Sequence, residues 1–157
     1  LDASRKSSYP NTGTTWYDIS GNGYDTTLTN GITYGTTASG IMSFNGSNQY
    51  AIRNTVSSFT VGCIDMWFKP NTTINSSSNF SALLTLATST TSAWYIALGS
   101  ATILVSNEYI TITEAASSKR VCVTDGGSLS ANSWANLVIN YESNQYKIYV
   151  NNVFLEF

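Results

Sequence analysis

The alternation of side chains near the end of the chain constrains the fold more than any other feature. Residues 134–141 alternate between two sets of side chains. The more apolar set is Ala135, Leu137, Ile139 and Tyr141. Residues 142–145 then reverse the chain into a second run at 146–150, and Asn151-Asn152 is a two-residue turn that favours left-handed backbone. A repeat of two residues is that of a β-strand, so two linked hairpins are predicted here.

Most of the remaining chain shows the same period between turn signals. Two short strands are predicted within residues 41–52, around Asn45-Gly46, a dipeptide that tolerates the positive φ angles of tight turns. Further strands are predicted at residues 94–99, 101–106, 109–113 and 120–124, followed by a turn at Asp125-Gly126-Gly127. Residues 81–90 are the best local helix candidate, but Ser and Thr interrupt them and no cap brackets them. The pattern therefore indicates an all-β, two-sheet antiparallel β-sandwich or jelly roll.

Residues 59–70 are apolar on both alternating faces. One face holds Val61, Cys63 and Trp67, and the other holds Ile64, Met66 and Phe68. Such a run is typical of a strand buried between two layers. Cys63 and Cys122 both lie in apolar, strand-like surroundings, which favours two buried free thiols, while a single disulfide is the alternative.

Composition excludes several classes of function. The 157 residues fit one domain, and only 10% of them are charged, so Ser, Thr and Asn provide the polarity, which suits strands and turns. The net charge of -2 lacks the excess of basic residues that binding to nucleic acid or anionic lipid requires. The chain has no histidine, which removes Ser-His-Asp and Cys-His catalysis and imidazole metal sites. No apolar run approaches the ~20 residues needed to cross a bilayer.

A turn-rich segment, residues 16–31, raises the question of a ligand loop. It lacks the Gly-Lys-Ser/Thr ending of a phosphate loop and the βαβ unit of a dinucleotide loop, which disfavours phosphate binding. Asp18, Asn22 and Asp25 could supply oxygen ligands to a structural calcium ion. The alternative is turn chemistry, because Asp and Asn side chains hydrogen-bond to local backbone. No other cofactor is predicted.

Aromatic residues make up 13% of the chain, and an exposed ring with a polar group can stack on a sugar. Four of them lie near turns or polar runs and are candidates for carbohydrate or partner contact: Trp94, Tyr95, Tyr24 and Tyr50. In the alternative interpretation, the tyrosines cover the sandwich faces or a partner interface. Trp16, Trp67 and Trp134 then lie in the core.

Four segments carry a family resemblance. They are residues 1–34, with GTTWYDISGNG and LTNGITY, residues 42–51 (MSFNGSNQYA), residues 59–70 (FTVGCIDMWFKP) and residues 132–152 (NSWANLVINYESNQYKIYVNN). Together they resemble the concanavalin A-like jelly roll of the laminin G and pentraxin type. The opening segment looks most like copies found in structural proteins of tailed phages. The resemblance implies the fold more than the function, because this fold hosts lectins, glycosidases, receptor modules and virion parts.

Two departures from the family pattern bear on the expectations. The family begins with a strand before Leu1-Asp2-Ala3 and closes with strands after the hairpin, so we expect residues 1–157 to be one domain that lacks terminal strands and is an excerpt of a longer chain. The family also often has an acidic pair where this chain has Asn48-Gln49, which weakens an inherited calcium site.

The catalytic relatives of this fold, the glucanases, carry Glu-x-Asp-x-Glu or a close variant on one strand. Retaining hydrolysis needs two carboxyl groups about 5.5 Å apart. Here Asp65 matches the central Asp, while Cys63, Trp67 and Phe68 take the places of the glutamates. Without a partner carboxylate, Asp65 cannot run that mechanism, so the resemblance implies that the chain is not an enzyme.

The resemblance therefore implies a non-catalytic structural or adhesion module of a phage virion protein, in a decoration, fibre or tail-associated position on the virion surface, outside the cell. Its expected partners are other virion subunits, in a homo-oligomer, and host-surface glycans, with no nucleic acid and no membrane insertion. The alternative is a lectin-like carbohydrate-binding module of a secreted bacterial protein. A glycoside hydrolase or lyase domain is the third possibility.

Overall fold

The computed structural model describes residues 1–37, 40–54, 62–75, 81–89, 92–99, 108–114, 119–124, 128–142 and 145–155. These residues form thirteen β-strands and no α-helix. The chain divides into two compact units, a first unit at Leu1–Ser57 and a second unit at Ser58–Phe157. The all-β fold class is confirmed, and a single domain over residues 1–157 stays a prediction.

The first unit contains five short strands. They are β1 (Thr15–Trp16), β2 (Thr26–Thr29), β3 (Thr33–Gly35), β4 (Ile41–Ser43) and β5 (Tyr50–Ile52). Strands β1, β2 and β5 form an antiparallel sheet in the order β1-β2-β5, and β3 pairs with β4. The predicted turn at Asn45-Gly46 is confirmed by the positive φ of Gly46, 69°. The strands on either side of this turn join different sheets, because β4 pairs with β3 and β5 pairs with β2.

A buried hydroxyl holds the start of the first unit. Ser8 is fully buried, and its Oγ donates to Tyr17 O at 2.6 Å and accepts from Asp2 N at 3.0 Å. The backbone of Tyr17 in turn donates to Ser8 O at 2.7 Å. A buried polar group is tolerated only when it is hydrogen-bonded, and these three bonds satisfy Ser8 while they join the first residues to the segment after β1.

The second unit contains eight strands. They are β6 (Gly62–Phe68), β7 (Ser81–Ser89), β8 (Ser92–Leu98), β9 (Glu108–Glu114), β10 (Lys119–Thr124), β11 (Ala135–Glu142), β12 (Gln145–Val150) and β13 (Val153–Leu155). They form two antiparallel sheets of four strands each, in the orders β10-β9-β8-β7 and β13-β12-β11-β6. The two linked hairpins predicted from residues 134–155 are therefore confirmed as β11, β12 and β13.

Both sheets of the second unit contribute to one hydrophobic core. Ile96 and Ile110 come from β8 and β9, while Leu137, Ile139 and Ile148 come from β11 and β12, and all five are at most 1% exposed. In the second sheet, Ile139 pairs with Ile148 on one side and with Ile64 on the other. The alternation predicted for residues 134–141 is thus confirmed, and the two sheets form the predicted sandwich.

Two local expectations are corrected by the structure. Residues 81–89, the helix candidate, form a strand that pairs with β8, because cross-strand pairing outweighs a weak local preference for helix. The strand at residues 62–68 is not buried on both faces: Cys63, Asp65 and Trp67 are exposed, because only its other face meets the core. The prediction of a buried Cys63 thiol is therefore wrong. Residues 101–106 and the turn at 125–127 lie outside the described residues.

The turn between β12 and β13 offers a test of the predicted turn chemistry. Asn151 and Asn152 both have positive φ, 50° and 66°, as a two-residue hairpin turn of this type requires. We expect Asn152→Ala to lower the free energy of unfolding by about 1–2 kcal/mol, because a Cβ-bearing residue without a locally bonding side chain is strained there. The matched variant Asn152→Gly should keep or raise stability. Urea denaturation measures both, and equal stability of the two variants would contradict the turn assignment.

Among the described residues, no helix has the length and apolar character needed to cross a membrane.

Candidate functional site

Three aromatic side chains lie on one face of the sheet that contains β11, on the side away from the core, and a fourth immediately precedes β11. We call this surface the outer aromatic face, and its members are Trp67, Tyr149 and Phe154 on the strands and Trp134 next to β11. Trp67 is 66% exposed, Phe154 46% and Trp134 42%. Large rings this open to solvent are unusual when they cluster, and such a patch marks a contact surface.

The strand register fixes how these residues are arranged. Phe154, Tyr149, Val138 and Asp65 form one row across β13, β12, β11 and β6. The next row pairs Trp67 with Asn136. The rings of Tyr149 and Phe154 contact each other, with centroids 5.3 Å apart. With strands about 4.8 Å apart, this row spans about 14 Å from β13 to β6, so aromatic rings lie at both ends of an extended surface.

A carboxylate and an amide form a polar pair at the β6 end of this face, next to Trp67. Asn136 is 7% exposed, and its Nδ2 donates to Asp65 Oδ1 at 2.7 Å. Asn151 holds Asn136 in place, because its Oδ1 accepts from Asn136 N and its own N–H donates to Asn136 O, both at 2.9 Å. Within the described residues, Asp65 Oδ2 and Asn136 Oδ1 accept no hydrogen bond. Because Asp65 is exposed and Asn136 is buried, the pair leaves the second carboxylate oxygen of Asp65 as an acceptor at the surface.

The charges around the outer aromatic face balance. The ammonium of Lys69 lies 5.8 Å from the ring centroid of Trp134. Lys147 and Glu142 follow the same side of β12 and β11, and Asp65 lies opposite Val138. Within the part of the chain that the structure describes, these two cations and two carboxylates leave little net charge on this surface.

The structure separates the four aromatic candidates chosen from the sequence. Tyr24 and Tyr50 are exposed in the first unit, at 48% and 49%, and the Arg53 guanidinium lies 3.7 Å from the centroid of the Tyr24 ring. Trp94 and Tyr95 lie on β8 in the second unit, and their side chains are outside the described part of the structure. For all four residues, contact with a carbohydrate or a partner stays a prediction.

Sequence reasoning missed Trp67 and Trp134. The interpretation of both as core residues is wrong, because both side chains are exposed. A signal was present in the alternation: Trp67 shares its face with Asp65, and Trp134 shares its face with Asn136 and Asn140. A face that carries an Asp and two Asn is not typical of a core. The apolar neighbours in the run 59–70 obscured this signal.

The calcium candidates in the first unit are engaged in turn hydrogen bonds. Asp18 accepts from Ser20 N at 2.9 Å, from Ser20 Oγ at 2.7 Å and from Tyr24 N at 3.0 Å. Asp25 Oδ1 accepts from Asp18 N at 2.8 Å, and Asn22 Nδ2 donates to Ser20 Oγ at 3.0 Å. These contacts favour the turn interpretation of Asp18, Asn22 and Asp25. No group of three or more Cys, Asp or Glu side chains within the described ranges is placed to hold a metal.

These hydrogen bonds predict how Asp18 titrates. Donation by the Ser20 hydroxyl, then by the backbone N–H groups of Ser20 and Tyr24, lowers the pKa of Asp18 from 3.8 to about 2. Because the folded-state pKa is depressed, the stabilisation is complete above the unfolded pKa and is lost as the pH falls from about 4 through about 2. We expect an NMR titration of the Asp18 carboxyl to show this midpoint. Ser20→Ala should move it toward 3.8, and an unperturbed wild-type midpoint would refute the turn geometry.

Side-chain amides also close the loop at Asn48-Gln49. Gln49 Oε1 accepts from Asn45 N at 2.8 Å, and its Nε2 donates to the carbonyls of Asn30 and Gly31 at 3.1 and 2.7 Å. The Asn30 side-chain amide likewise donates to Asn48 O. Amide N–H groups thus satisfy backbone carbonyls of the kind that calcium binds.

We expect calcium to leave the stability of the protein unchanged. The carboxylates of Asp18 and Asp25 are occupied by N–H and O–H donors, and amides satisfy the carbonyls near Gln49. At a free calcium concentration 100 times its Kd, a bound calcium ion would raise the free energy of unfolding by about 2.7 kcal/mol. Melting temperatures measured in millimolar calcium and in excess chelator should therefore agree, and a clear rise with calcium would restore the metal interpretation.

A comparison with protein families matches residues 44–154 to a laminin G family described as the concanavalin A-like lectin/glucanases superfamily. The match covers more than half of the chain. The chain belongs to the concanavalin A-like lectin/glucanase superfamily. Neither the curated proteins nor the solved structures give a significant match. The predicted family and its jelly-roll fold are thereby confirmed.

Membership in the concanavalin A-like superfamily indicates a carbohydrate-binding or adhesion-type module. The matched range contains all four members of the outer aromatic face and the Asp65–Asn136 pair. The positions that resemble the catalytic strand of glucanases are on this face, where Cys63 and Trp67 flank Asp65. The surface thus combines exposed aromatic rings with a carboxylate, Asp65, that lies next to Trp67 on the same strand.

Proposed function

We propose that this protein is a non-catalytic adhesion module that contacts glycans through its outer aromatic face. The observation that carries this proposal is the exposure of Trp67 next to the Asp65–Asn136 hydrogen bond. Sugar recognition combines flat apolar contact with oriented polar groups, and an exposed aromatic ring beside fixed acceptors supplies both. A surface of this kind binds a single sugar chain weakly.

The spacing of carboxylates supports a non-catalytic role. Asp65 is opposite Val138, and Glu142 follows Val138 by four residues on β11, about 13 Å along the strand. Glycoside hydrolysis uses carboxyl groups about 5–5.5 Å apart when the configuration is retained and about 6.5–9.5 Å apart when it is inverted. Glu142 is too distant for either mechanism. Incubation with soluble β-glucans should release no reducing ends. Any release would contradict the non-catalytic role, and release that Asp65→Ala abolishes would assign catalysis to Asp65.

We further propose that the module is part of a phage virion, in a decoration, fibre or tail-associated protein at the particle surface. Supporting this are the resemblance of residues 1–34 to segments of tailed-phage structural proteins and the low charge of the chain. Its partners would then be other virion subunits, most simply further copies of this chain. Several linked copies raise overall avidity without any strong single site.

Two experiments test these proposals separately. A glycan array probed with a multivalent form of the protein should give signals that free oligosaccharide competes away, and a blank array would remove glycan contact. The genes next to the one that encodes this protein test the proposal of a phage virion. Neighbouring capsid and tail genes would support it, whereas a hydrolase domain in the same protein would support a secreted carbohydrate-binding module instead.

A further inference from the structure

Three Asn-Gly dipeptides lie in the first unit, at Asn22-Gly23, Asn30-Gly31 and Asn45-Gly46. In such a dipeptide the backbone nitrogen of the glycine can attack the side-chain carbonyl carbon of the asparagine, because glycine has no side chain to obstruct the approach. The attack needs an asparagine side chain that is free to turn toward that nitrogen. The hydrogen bonds of the three side chains therefore decide which dipeptide reacts in the folded protein.

The side chain of Asn45 is held by four hydrogen bonds. Its Oδ1 accepts from the backbone N–H groups of Ser47, Asn48 and Gln49 at 2.9, 3.2 and 3.3 Å. Its Nδ2 donates to Asn48 Oδ1 at 2.8 Å. A rotation of the amide toward Gly46 N would break these bonds, and each lost bond raises the barrier to reaction. The folded loop therefore protects Asn45.

The amide of Asn30 is held at one atom. Its Nδ2 donates to Asn48 O, which ties the side chain to a residue 18 positions later in the chain. Nδ2 is the nitrogen that would have to leave, so this contact also opposes the reaction. Asn30 is thus protected, but by fewer bonds than Asn45.

Asn22 is the least restrained of the three asparagines. It is exposed, and its Nδ2 donates to Ser20 Oγ at 3.0 Å, within the same exposed turn. Among the described residues, neither Asn22 Oδ1 nor Gly23 N makes a hydrogen bond. A Cβ placed on Gly21 or on Gly23 would meet no atom within 4 Å. The amide therefore has both the room and the freedom to approach Gly23 N.

From these contacts we propose that Asn22 is a site of spontaneous deamidation that reacts before Asn30 and Asn45. Gly23 N loses its proton to water and bonds to Asn22 Cγ, the bond from Cγ to Nδ2 breaks, and the nitrogen leaves as ammonia. Water then opens the five-membered imide at either carbonyl, which leaves aspartate or isoaspartate at position 22. The overall reaction turns one amide and one water into a carboxylate and an ammonium ion, with no oxidation or reduction.

The product changes the turn that Asp18 closes. Residue 22 lies between Ser20 and Tyr24, whose backbone N–H groups donate to Asp18 at 2.9 and 3.0 Å. Isoaspartate adds a methylene group to the backbone between these two donors and so disturbs their common acceptor. Either product changes the net charge from -2 to -3, since a neutral amide becomes one carboxylate. Neither glycan contact nor a virion setting is needed for this reaction.

Peptide mapping of the folded protein over time tests the proposal. The protein is incubated in mildly alkaline buffer made with water labelled with heavy oxygen, then digested in ordinary water and analysed by mass spectrometry. The label marks only the products that form before digestion. Deamidation at Asn22 should be at least about tenfold faster than at Asn45, which corresponds to a barrier lower by about 1.4 kcal/mol. In concentrated urea the three rates should converge, because unfolding releases all three side chains.

Two variants assign the effect to the side-chain contacts. Asn48→Ala removes the acceptor of Asn45 Nδ2, so it should speed the reaction at Asn45 and leave the rate at Asn22 unchanged. Asn22→Gln should abolish the early product, because the longer side chain closes an imide ring much less readily. Circular dichroism establishes that both variants are folded before their rates are compared.

Several outcomes would overturn the proposal. One is reaction at Asn30 or Asn45 before Asn22, and another is an Asn22 peptide that stays unmodified while the protein in urea reacts. Equal rate ratios in the folded and the unfolded protein would also overturn it, because the fold would then have no part in selecting Asn22. An unchanged rate at Asn45 in the folded Asn48→Ala variant would contradict the protection assigned to its hydrogen bonds.

Discussion

Replacement of Ile139 by alanine should lower the free energy of unfolding by about 2–5 kcal/mol, which is the usual cost of such a truncation in a packed core. Ile139 is 1% exposed and lies between Ile64 and Ile148 in the middle of its sheet. The cavity left by the substitution would face the core that both sheets of the second unit share. Urea denaturation followed by tryptophan fluorescence and circular dichroism measures the change.

The neighbouring residue provides the control for this experiment. Asn140 is exposed on the opposite face of the same strand, so Asn140→Ala should change stability by less than about 0.5 kcal/mol. If the two substitutions destabilised the protein equally, the assignment of inner and outer faces to β11 would be wrong. The outer aromatic face depends on that assignment, so this result bears on function as well as on stability.

Replacement of Trp67 by alanine should weaken glycan binding about 10- to 30-fold, or about 1.4–2 kcal/mol, as expected for an aromatic residue that contacts the ligand directly. Stability should change little, because the side chain is 66% exposed. The measurement is titration of the strongest glycan from the array into wild type and variant. Trp67→Phe should recover part of the affinity, since it restores a flat ring.

An aromatic residue in the first unit provides the matched control. Phe44 is 45% exposed, so Phe44→Ala removes a comparable exposed ring and should leave glycan affinity unchanged. Loss of binding in Tyr24→Ala or Tyr50→Ala, with Trp67→Ala silent, would move the site to the first unit. That result would favour the aromatic candidates identified from sequence alone over those identified from the sheet register.

The hydrogen bonds of Gln49 illustrate what sequence could not predict. Its side chain contacts the carbonyls of Asn30 and Gly31, 19 and 18 residues earlier in the chain. The sequence showed only that Asn48-Gln49 replaces an acidic pair. Which backbone carbonyls the amide nitrogen of Gln49 meets depends on how β2, β5 and the intervening loop are placed, and that placement is a property of the folded unit.

The sequence by itself determined the strands of the two linked hairpins at residues 134–155 and the turn at Asn151-Asn152. It also determined the family and the lack of a second carboxylate next to Asp65. Each of these depends on residues close together in the chain, where a two-residue period and turn preferences act directly. The tertiary structure decided which face of β6 is covered. A strand always offers two faces, and only the packing of the two sheets leaves Cys63, Asp65 and Trp67 open to solvent while Ile64, Met66 and Phe68 meet the core. The candidate glycan surface follows from that choice.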